Sequence, residues 1–209
     1  MAACRALMKG GSKSFFAASL LLPTSVCEPA TALYAFCRLA DDAIDDGGGL
    51  EALQGLYDRL DRIYARDPAP IPADRAFAEV VARYGIPKAL PAALIEGFEW
   101  DERGRTYDTL SDLTAYAARV AGTVGAMMTM LMGVRDADAV ARACDLGIAM
   151  QFTNIARDVG EDARLGRIYL PRDWLREAGI DPDAWLKAPK FDKALGGVVP
   201  PLGVGADEK

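Results

Sequence analysis

The segment at residues 151–162 most constrains how this chain can fold, because its oxygen-bearing side chains recur at a fixed interval. Asn154, Asp158 and Asp162 follow one another at four-residue spacing. On an α-helix that spacing stacks the three side chains along one face. The sequence therefore predicts a helix that carries an amide and two carboxylates on the same side.

A second acidic segment lies far upstream, where Asp41 and Asp45 are again four residues apart. Both segments fall near the predicted C-terminal ends of their helices, where each carboxylate opposes the helix dipole at a cost of about 0.3–1 kcal/mol. Apolar residues interleave with both segments, and Arg38 and Arg157 lie close by in sequence. Buried carboxylates need cationic partners. We interpret the segments as two helix faces that meet across one cavity; solvated helix ends are the alternative.

Hard cations such as Mg²⁺ take oxygen ligands, usually one or two carboxylates together with substrate phosphates. The acidic faces therefore predict an enzyme that acts on diphosphates with Mg²⁺, or with Mn²⁺ in its place. Ser12 and Lys13 open a predicted helix, where free backbone N–H groups attract anions. Arg38 and Arg157 can give forked hydrogen bonds to phosphate.

The chain contains no histidine, which excludes Ser-His-Asp triads, Cys-His pairs and histidine zinc sites. Its four cysteines form no CxxC pair and are typical of buried apolar residues in a reducing compartment, so we expect a cytoplasmic protein. The net charge of −6 argues against broad nucleic-acid binding.

Apolar residues recur at helical spacing in successive segments, and no segment alternates with a period of two. We therefore predict an all-α bundle, with one domain over residues 1–199 and an unstructured tail over residues 200–209. The apolar stretch 113–134 contains Arg119 and favours a buried core helix over a membrane span. The N-terminal 22 residues imitate a signal peptide, but a basic helix start is the preferred interpretation. The predicted helices span residues 12–22, 28–46, 50–66, 73–84, 87–103, 110–132 and 136–162.

Several separated motifs resemble the squalene/phytoene synthase family, in the order that family shows. They are GSKSF at 11–15, YAFCRLADDAID at 34–45, VAGTVG at 120–125, and the run from 151 to 171 that ends GRIYLP. The resemblance implies the all-α isoprenoid-synthase bundle around a central cavity, with Mg²⁺ dependence. It also implies head-to-head joining of two prenyl diphosphates through a cyclopropyl intermediate.

Carried over by motif, the resemblance implies metal ligands at Asp41, Asp45, Asn154, Asp158 and Asp162. It implies that further residues contact diphosphate or line the site: Tyr34, Arg38, Gln151, Arg157 and Tyr169. The VAGTVG segment would line the hydrocarbon cavity, while close helix packing is the alternative explanation of its glycines.

Two departures from the family pattern bear on function. Tyr116 is followed by Ala117, Ala118 and Arg119 where many relatives carry further tyrosines, which we expect to affect substrate choice. After Val199 the sequence reads PPLGVGADEK where relatives continue with further helices, so we expect a truncated end, an open cavity and weak or no activity.

The leading interpretation is a phytoene synthase-type enzyme acting on geranylgeranyl diphosphate. A squalene or dehydrosqualene-type synthase using farnesyl diphosphate, a non-catalytic relative and a Ca²⁺-binding helical bundle are the alternatives. A lipid-soluble product favours transient contact with a membrane surface.

Overall fold

The computed structural model describes residues 1–11, 16–17, 19–45, 49–190 and 193–198. Every regular element in these ranges is helical, which confirms the all-α prediction. The helices are α1 (Ala2–Gly11), α2 (Thr24–Asp45), α3 (Gly49–Tyr64), α4 (Pro72–Tyr84), α5 (Ala89–Glu102), α6 (Leu110–Ala117), α7 (Thr123–Leu131), α8 (Ala137–Arg164), α9 (Arg172–Glu177), α10 (Pro182–Lys187) and α11 (Lys193–Val198). A π-helical turn (Ala118–Gly122) joins α6 to α7 without a break.

Helix α2 begins four residues before the predicted start at residue 28. The amides of Val26 and Cys27 donate to the carbonyl oxygen of Pro23 at 2.9 and 2.8 Å, so the helix starts directly after that proline. Pro29 therefore lies inside the helix, whereas a helix that began at residue 28 would have placed it in the first turn. Residues 12–15 and 18 of the predicted helix at 12–22 and the whole predicted tail at 200–209 lie outside the described residues.

Two apolar cores hold the bundle together. The first joins α2, α3, α4, α5 and α7, and includes a stacked pair of Phe36 and Phe77 with ring centroids 4.4 Å apart. The second joins α6, α8 and the helices that follow residue 165, around Phe152, Ile155 and Val159. Val120 of the π-helical turn packs against both cores, so this turn lies where the two halves of the molecule meet.

The apolar stretch 113–134 forms most of α6 and α7 and is largely buried, as predicted for a core helix. Leu113 and Met127 are fully buried within it. Within the described part of the chain, no helix has both the length and the apolar character needed to cross a bilayer.

Helices α7 and α8 approach each other through glycines. A Cβ atom built on Gly125 would lie 2.2 Å from the carbonyl oxygen of Ala143, and one on Gly147 would lie 2.5 Å from the carbonyl oxygen of Ala121. Real Cβ atoms essentially never come that close. The two backbones are therefore in direct contact, and this contact fixes the distance between the helices.

Candidate active site

Helix α2 presents Tyr34, Arg38 and Asp41 to one cavity while its opposite face is buried in the first core. Offsets of four and seven residues keep these side chains within about 60° of one another around the helix. Arg38 Nη2 lies 2.6 Å from Asp42 Oδ1, and its Nη1 lies 3.5 Å from Asp41 Oδ2. Partial burial raises the pKa of Tyr34. The face thus combines a neutral phenol, a cation and carboxylates.

Helix α8 presents Gln151, Asn154, Arg157 and Asp158 to the same cavity. Arg157 donates from Nε to Asp158 Oδ1 at 2.7 Å and from Nη2 to Asp158 Oδ2 at 2.6 Å. These hydrogen bonds lower the pKa of Asp158, so its carboxyl group is ionised at neutral pH.

The two faces meet across a cavity of about 590 Å³. Asp41 of α2 and Asp158 of α8 both line it, although 117 residues separate them in sequence. Apolar side chains from α5, the π-helical turn and α7 complete the lining: Leu94, Phe98, Val120 and Val124. The arrangement places anionic and cationic groups beside an apolar wall, as the acidic segments predict.

The remaining predicted site residues lie elsewhere or outside the described residues. Ser12 and Lys13 are not described, and Asp45 is the last residue of α2, with a side chain outside the description. Asp162 lines a separate narrow space with Arg167 and Tyr169. Each four-residue step advances about 40° around a helix, so Asp162 lies about 80° from Asn154.

The environment of Asp162 differs from that of Asp158. Burial, reinforced by the negative charge of Asp158, raises the pKa of Asp162 to about 6. Among the side chains that the structure describes, no three carboxylates or thiols lie close enough together to hold one metal ion.

Asp101 is a cavity residue that the sequence patterns miss. It is the penultimate residue of α5, lines the cavity and accepts two hydrogen bonds, from Tyr116 Oη to Oδ2 at 2.7 Å and from Tyr169 Oη to Oδ1 at 2.8 Å. Burial and the charge of Asp101 raise the pKa values of both tyrosines, so both phenols are neutral. A single carboxylate without an acidic neighbour at helical spacing gives no local signal, and its partners lie 15 and 68 residues away.

An apolar groove of about 400 Å³ lies beside the cavity, between α7 and α8. The groove and the cavity share Val120, Val124, Gln151 and Asn154. Half-exposed or exposed apolar side chains line its outer part: Met132, Leu146 and Met150. In the VAGTVG segment, the valines line this space and Gly125 packs against α8.

A sequence profile described as squalene/phytoene synthase matches residues 8–201. The chain belongs to the squalene/phytoene synthase family. The resemblance inferred from the separated motifs is thereby confirmed.

Relatives within the squalene/phytoene synthase family include two bacterial phytoene synthases. The protein of Rhodobacter capsulatus is 58% identical over 199 residues, which cover 93% of this chain and 59% of the relative. That of Cereibacter sphaeroides is 54% identical over 216 residues, which cover 98% and 61%. The chain thus spans about three fifths of the length of these curated relatives.

Solved squalene/phytoene synthase structures share the fold. A ligand-bound dehydrosqualene synthase superposes with a TM-score of 0.89 at 35% identity, covering 99% of this chain and 72% of its own. A squalene synthase from Alicyclobacillus acidocaldarius superposes with a TM-score of 0.88 at 29% identity, covering 98% and 78%. The fold is therefore the helical bundle of the isoprenoid synthases, as expected.

Proposed function

We propose that the chain carries the active site of a phytoene synthase-type prenyltransferase. In this proposal two geranylgeranyl diphosphates condense head to head, through prephytoene diphosphate, to phytoene in carotenoid biosynthesis. The observation that carries the proposal is that Asp41 and Asp158, from two separate helices, line one cavity that adjoins an apolar groove. The similarity to bacterial phytoene synthases supports this choice of substrate.

The donor set of the cavity fits a hard divalent cation, Mg²⁺ or alternatively Mn²⁺. Asp41, Asn154 and Asp158 offer oxygen atoms, and we include Asp45 and Asp162 as proposed ligands. Mg²⁺ commonly takes only one or two carboxylates and completes its shell with phosphate oxygens and water. A site without three adjacent acidic groups therefore suits it. When bound, the cation supplies positive charge that stabilises the departing diphosphate.

The cavity's own cations complement the diphosphate. Arg38 and Arg157 now contact carboxylates of their own helices, and both guanidinium groups remain partly exposed at the cavity. A diphosphate in the cavity would accept hydrogen bonds from these guanidinium groups and from Tyr34 and Gln151. We propose Ser12, Lys13 and Tyr169 as further binding residues.

The apolar lining protects a carbocation from water. Loss of diphosphate from an allylic substrate leaves a positive charge that any nearby water would quench, and a dry, weakly nucleophilic wall prevents this. Leu94, Phe98, Val120 and Val124 provide such a wall beside the polar faces. The groove between α7 and α8 offers room for the isoprenoid tail.

A shorter substrate is the second candidate. The ligand-bound dehydrosqualene synthase that shares this fold at 35% identity favours a squalene or dehydrosqualene-type reaction on farnesyl diphosphate. The two candidates differ by one isoprene unit in each substrate. Parallel reactions with both diphosphates therefore distinguish them by the length of the hydrocarbon product.

The decisive test is incubation of the purified chain with radiolabelled geranylgeranyl or farnesyl diphosphate and Mg²⁺. We expect a metal-dependent hydrocarbon that Asp158→Ala abolishes. Asp145→Ala is the matched control, because Asp145 is an exposed carboxylate on the same helix that lines neither the cavity nor the groove. Equal loss of product in both variants would contradict the site assignment. Full turnover by the 209-residue chain would contradict the expected weak activity.

Binding tests the site independently of turnover. Calorimetry with an unreactive prenyl thiolodiphosphate should show Mg²⁺-dependent binding, and Mn²⁺ should give a broadened electron paramagnetic resonance signal when this analogue is present. Asp158→Ala should weaken both signals. Equal affinity for the analogue with and without Mg²⁺ would contradict the cation proposal.

Contact with a membrane surface and a cytoplasmic location stay predictions. Co-sedimentation of the chain with phospholipid vesicles, with and without the diphosphate analogue, tests membrane contact. A chain that stays entirely in the supernatant under both conditions would contradict it.

A further inference from the structure

Asp101 joins two tyrosines that come from different parts of the fold. Asp101 lies in the last turn of α5, Tyr116 lies on α6, and Tyr169 lies in the segment before α9. Each phenol hydroxyl donates to a different oxygen of the Asp101 carboxylate, at 2.7 and 2.8 Å. One carboxylate therefore sets the orientation of two side chains that no local sequence contact could align.

The aromatic rings behind these hydroxyls form a packed stack. The rings of Tyr116 and Tyr169 are 5.2 Å apart between centroids, with an interplanar angle of 25°. Tyr107 packs against both, at 5.2 and 6.2 Å, and is fully buried. Tyr116 and Asp101 both line the cavity, whereas Tyr169 lines the narrow space beside Asp162 and stacks behind Tyr116.

The Asp101 carboxylate brings negative charge to this part of the wall. It accepts a hydrogen bond from each of the two phenols. Because Tyr116 directs its hydroxyl proton to Asp101, it does not offer that proton to the cavity. The wall at this position therefore combines aromatic faces with negative charge, both of which attract a cation.

We propose that Asp101 is a positioning residue that fixes Tyr116, with Tyr169 stacked behind it, as a cation-stabilising wall for the carbocations of the reaction. The assignment rests on the proposed function, because that reaction develops positive charge in the cavity. Asp101 acts through the two tyrosines, so its loss reorients the rings and leaves diphosphate binding by the arginine-bearing faces in place. A displacement of about 1 Å in such a group costs about 10²-fold in rate.

The test replaces Asp101 by asparagine, which keeps the shape but has one acceptor oxygen in place of two, so only one phenol keeps its present acceptor atom. Tyrosines labelled with ¹³C at Cζ report the two phenols by NMR, and Tyr→Phe variants assign their resonances. We expect both resonances to shift in Asp101→Asn and to return towards their original positions in Asp101→Glu. Tyr107→Phe is the matched control, because the buried Tyr107 hydroxyl has no hydrogen-bond partner among the residues that the structure describes.

Kinetics separate positioning from binding. For Asp101→Asn we expect kcat to fall by about 10²-fold, whereas KM and the affinity for the thiolodiphosphate analogue stay within about threefold, the span of about 0.7 kcal/mol. Unchanged tyrosine resonances, or a loss of analogue affinity as large as the loss of kcat, would overturn the proposal. If the wild-type chain shows neither product nor Mg²⁺-dependent binding of the analogue, the proposed function fails, while the NMR measurements still decide whether Asp101 positions the tyrosines.

Discussion

Replacement of Gly125 by alanine tests the claim that direct backbone contact between α7 and α8 sets the shape of the site. The new Cβ would lie 2.2 Å from the carbonyl oxygen of Ala143. Ordinary contact begins at 3.4 Å, so the deficit of 3.4 minus 2.2, or 1.2 Å, must be met by movement. The obstructing atom belongs to a helix backbone and cannot rotate away as a side chain would.

The expected loss of stability follows from two opposing terms. Overpacking a close contact costs about 1–3 kcal/mol, and a backbone obstruction belongs at the upper end of that range. Alanine in a helix recovers about 1 kcal/mol relative to glycine. The net loss is therefore about 2 kcal/mol in the free energy of unfolding, and Tm falls by about 4–8 °C for a chain of this size.

Urea unfolding followed by helical circular dichroism measures this difference. Gly55→Ala is the matched control, because Gly55 lies inside α3 with nothing within 4 Å of the new Cβ. We expect this control to gain about 0.5–1 kcal/mol. Gly122→Ala should fall between the two, since its new Cβ meets its nearest atom at 3.6 Å.

The order of the three variants is the critical result. If Gly125→Ala is as stable as Gly55→Ala, the backbones of α7 and α8 are not in contact and the reasoning is refuted. A uniform loss in all three variants would show that added Cβ atoms act through something other than this contact.

Three further predictions rest on single residues. Asp74 is fully buried and accepts two hydrogen bonds from Arg59, so Asp74→Ala should lower the free energy of unfolding in urea by about 3–5 kcal/mol. Asp67 forms an exposed ion pair with Arg62, so Asp67→Ala should cause no measurable loss. Because folding raises the pKa of Asp162 to about 6, metal-free stability should fall as the pH rises from about 4 to 6; Asp162→Asn should remove that fall, and an unchanged pH profile would contradict the assignment. Tyr107→Phe should leave Tm unchanged or slightly higher, because it removes a buried hydroxyl without a partner; a clear drop in Tm would show an unseen hydrogen bond.

The parts of the site that the sequence predicted are those set by local spacing. The α8 face with Asn154 and Asp158 follows from helical periodicity, which depends only on neighbouring residues. Asp162 shares that spacing, but the rotation accumulated along the helix turns it into a separate buried space. Sequence spacing therefore predicts which residues share a helix more reliably than which space they line.

The tyrosine wall could not be predicted in the same way. Asp101 meets Tyr116 and Tyr169 only because α5, α6 and the segment before α9 pack together. The local sequence around Asp101 does not indicate that these two tyrosines lie within hydrogen-bond distance of it. Fold class was predictable from periodicity, whereas this convergence is a property of tertiary packing.

The π-helical turn at Ala118–Gly122 has a consequence for how this wall tolerates insertions and deletions. The Thr123 amide donates to the carbonyl oxygen of Ala118, five residues back instead of four. The continuous helix from α6 to α7 therefore contains one residue more than a regular α-helix with the same number of turns. In an uninterrupted α-helix, Tyr116 and Gly125 would lie about half a turn apart, and the extra residue changes that angle by about 100°. Deleting one residue from the turn would leave the helix intact as secondary structure yet rotate Tyr116 away from Asp101. The length of this turn therefore sets the rotation between Tyr116 and the residues of α7. We expect a one-residue deletion in the turn to disturb the wall more than a substitution there would.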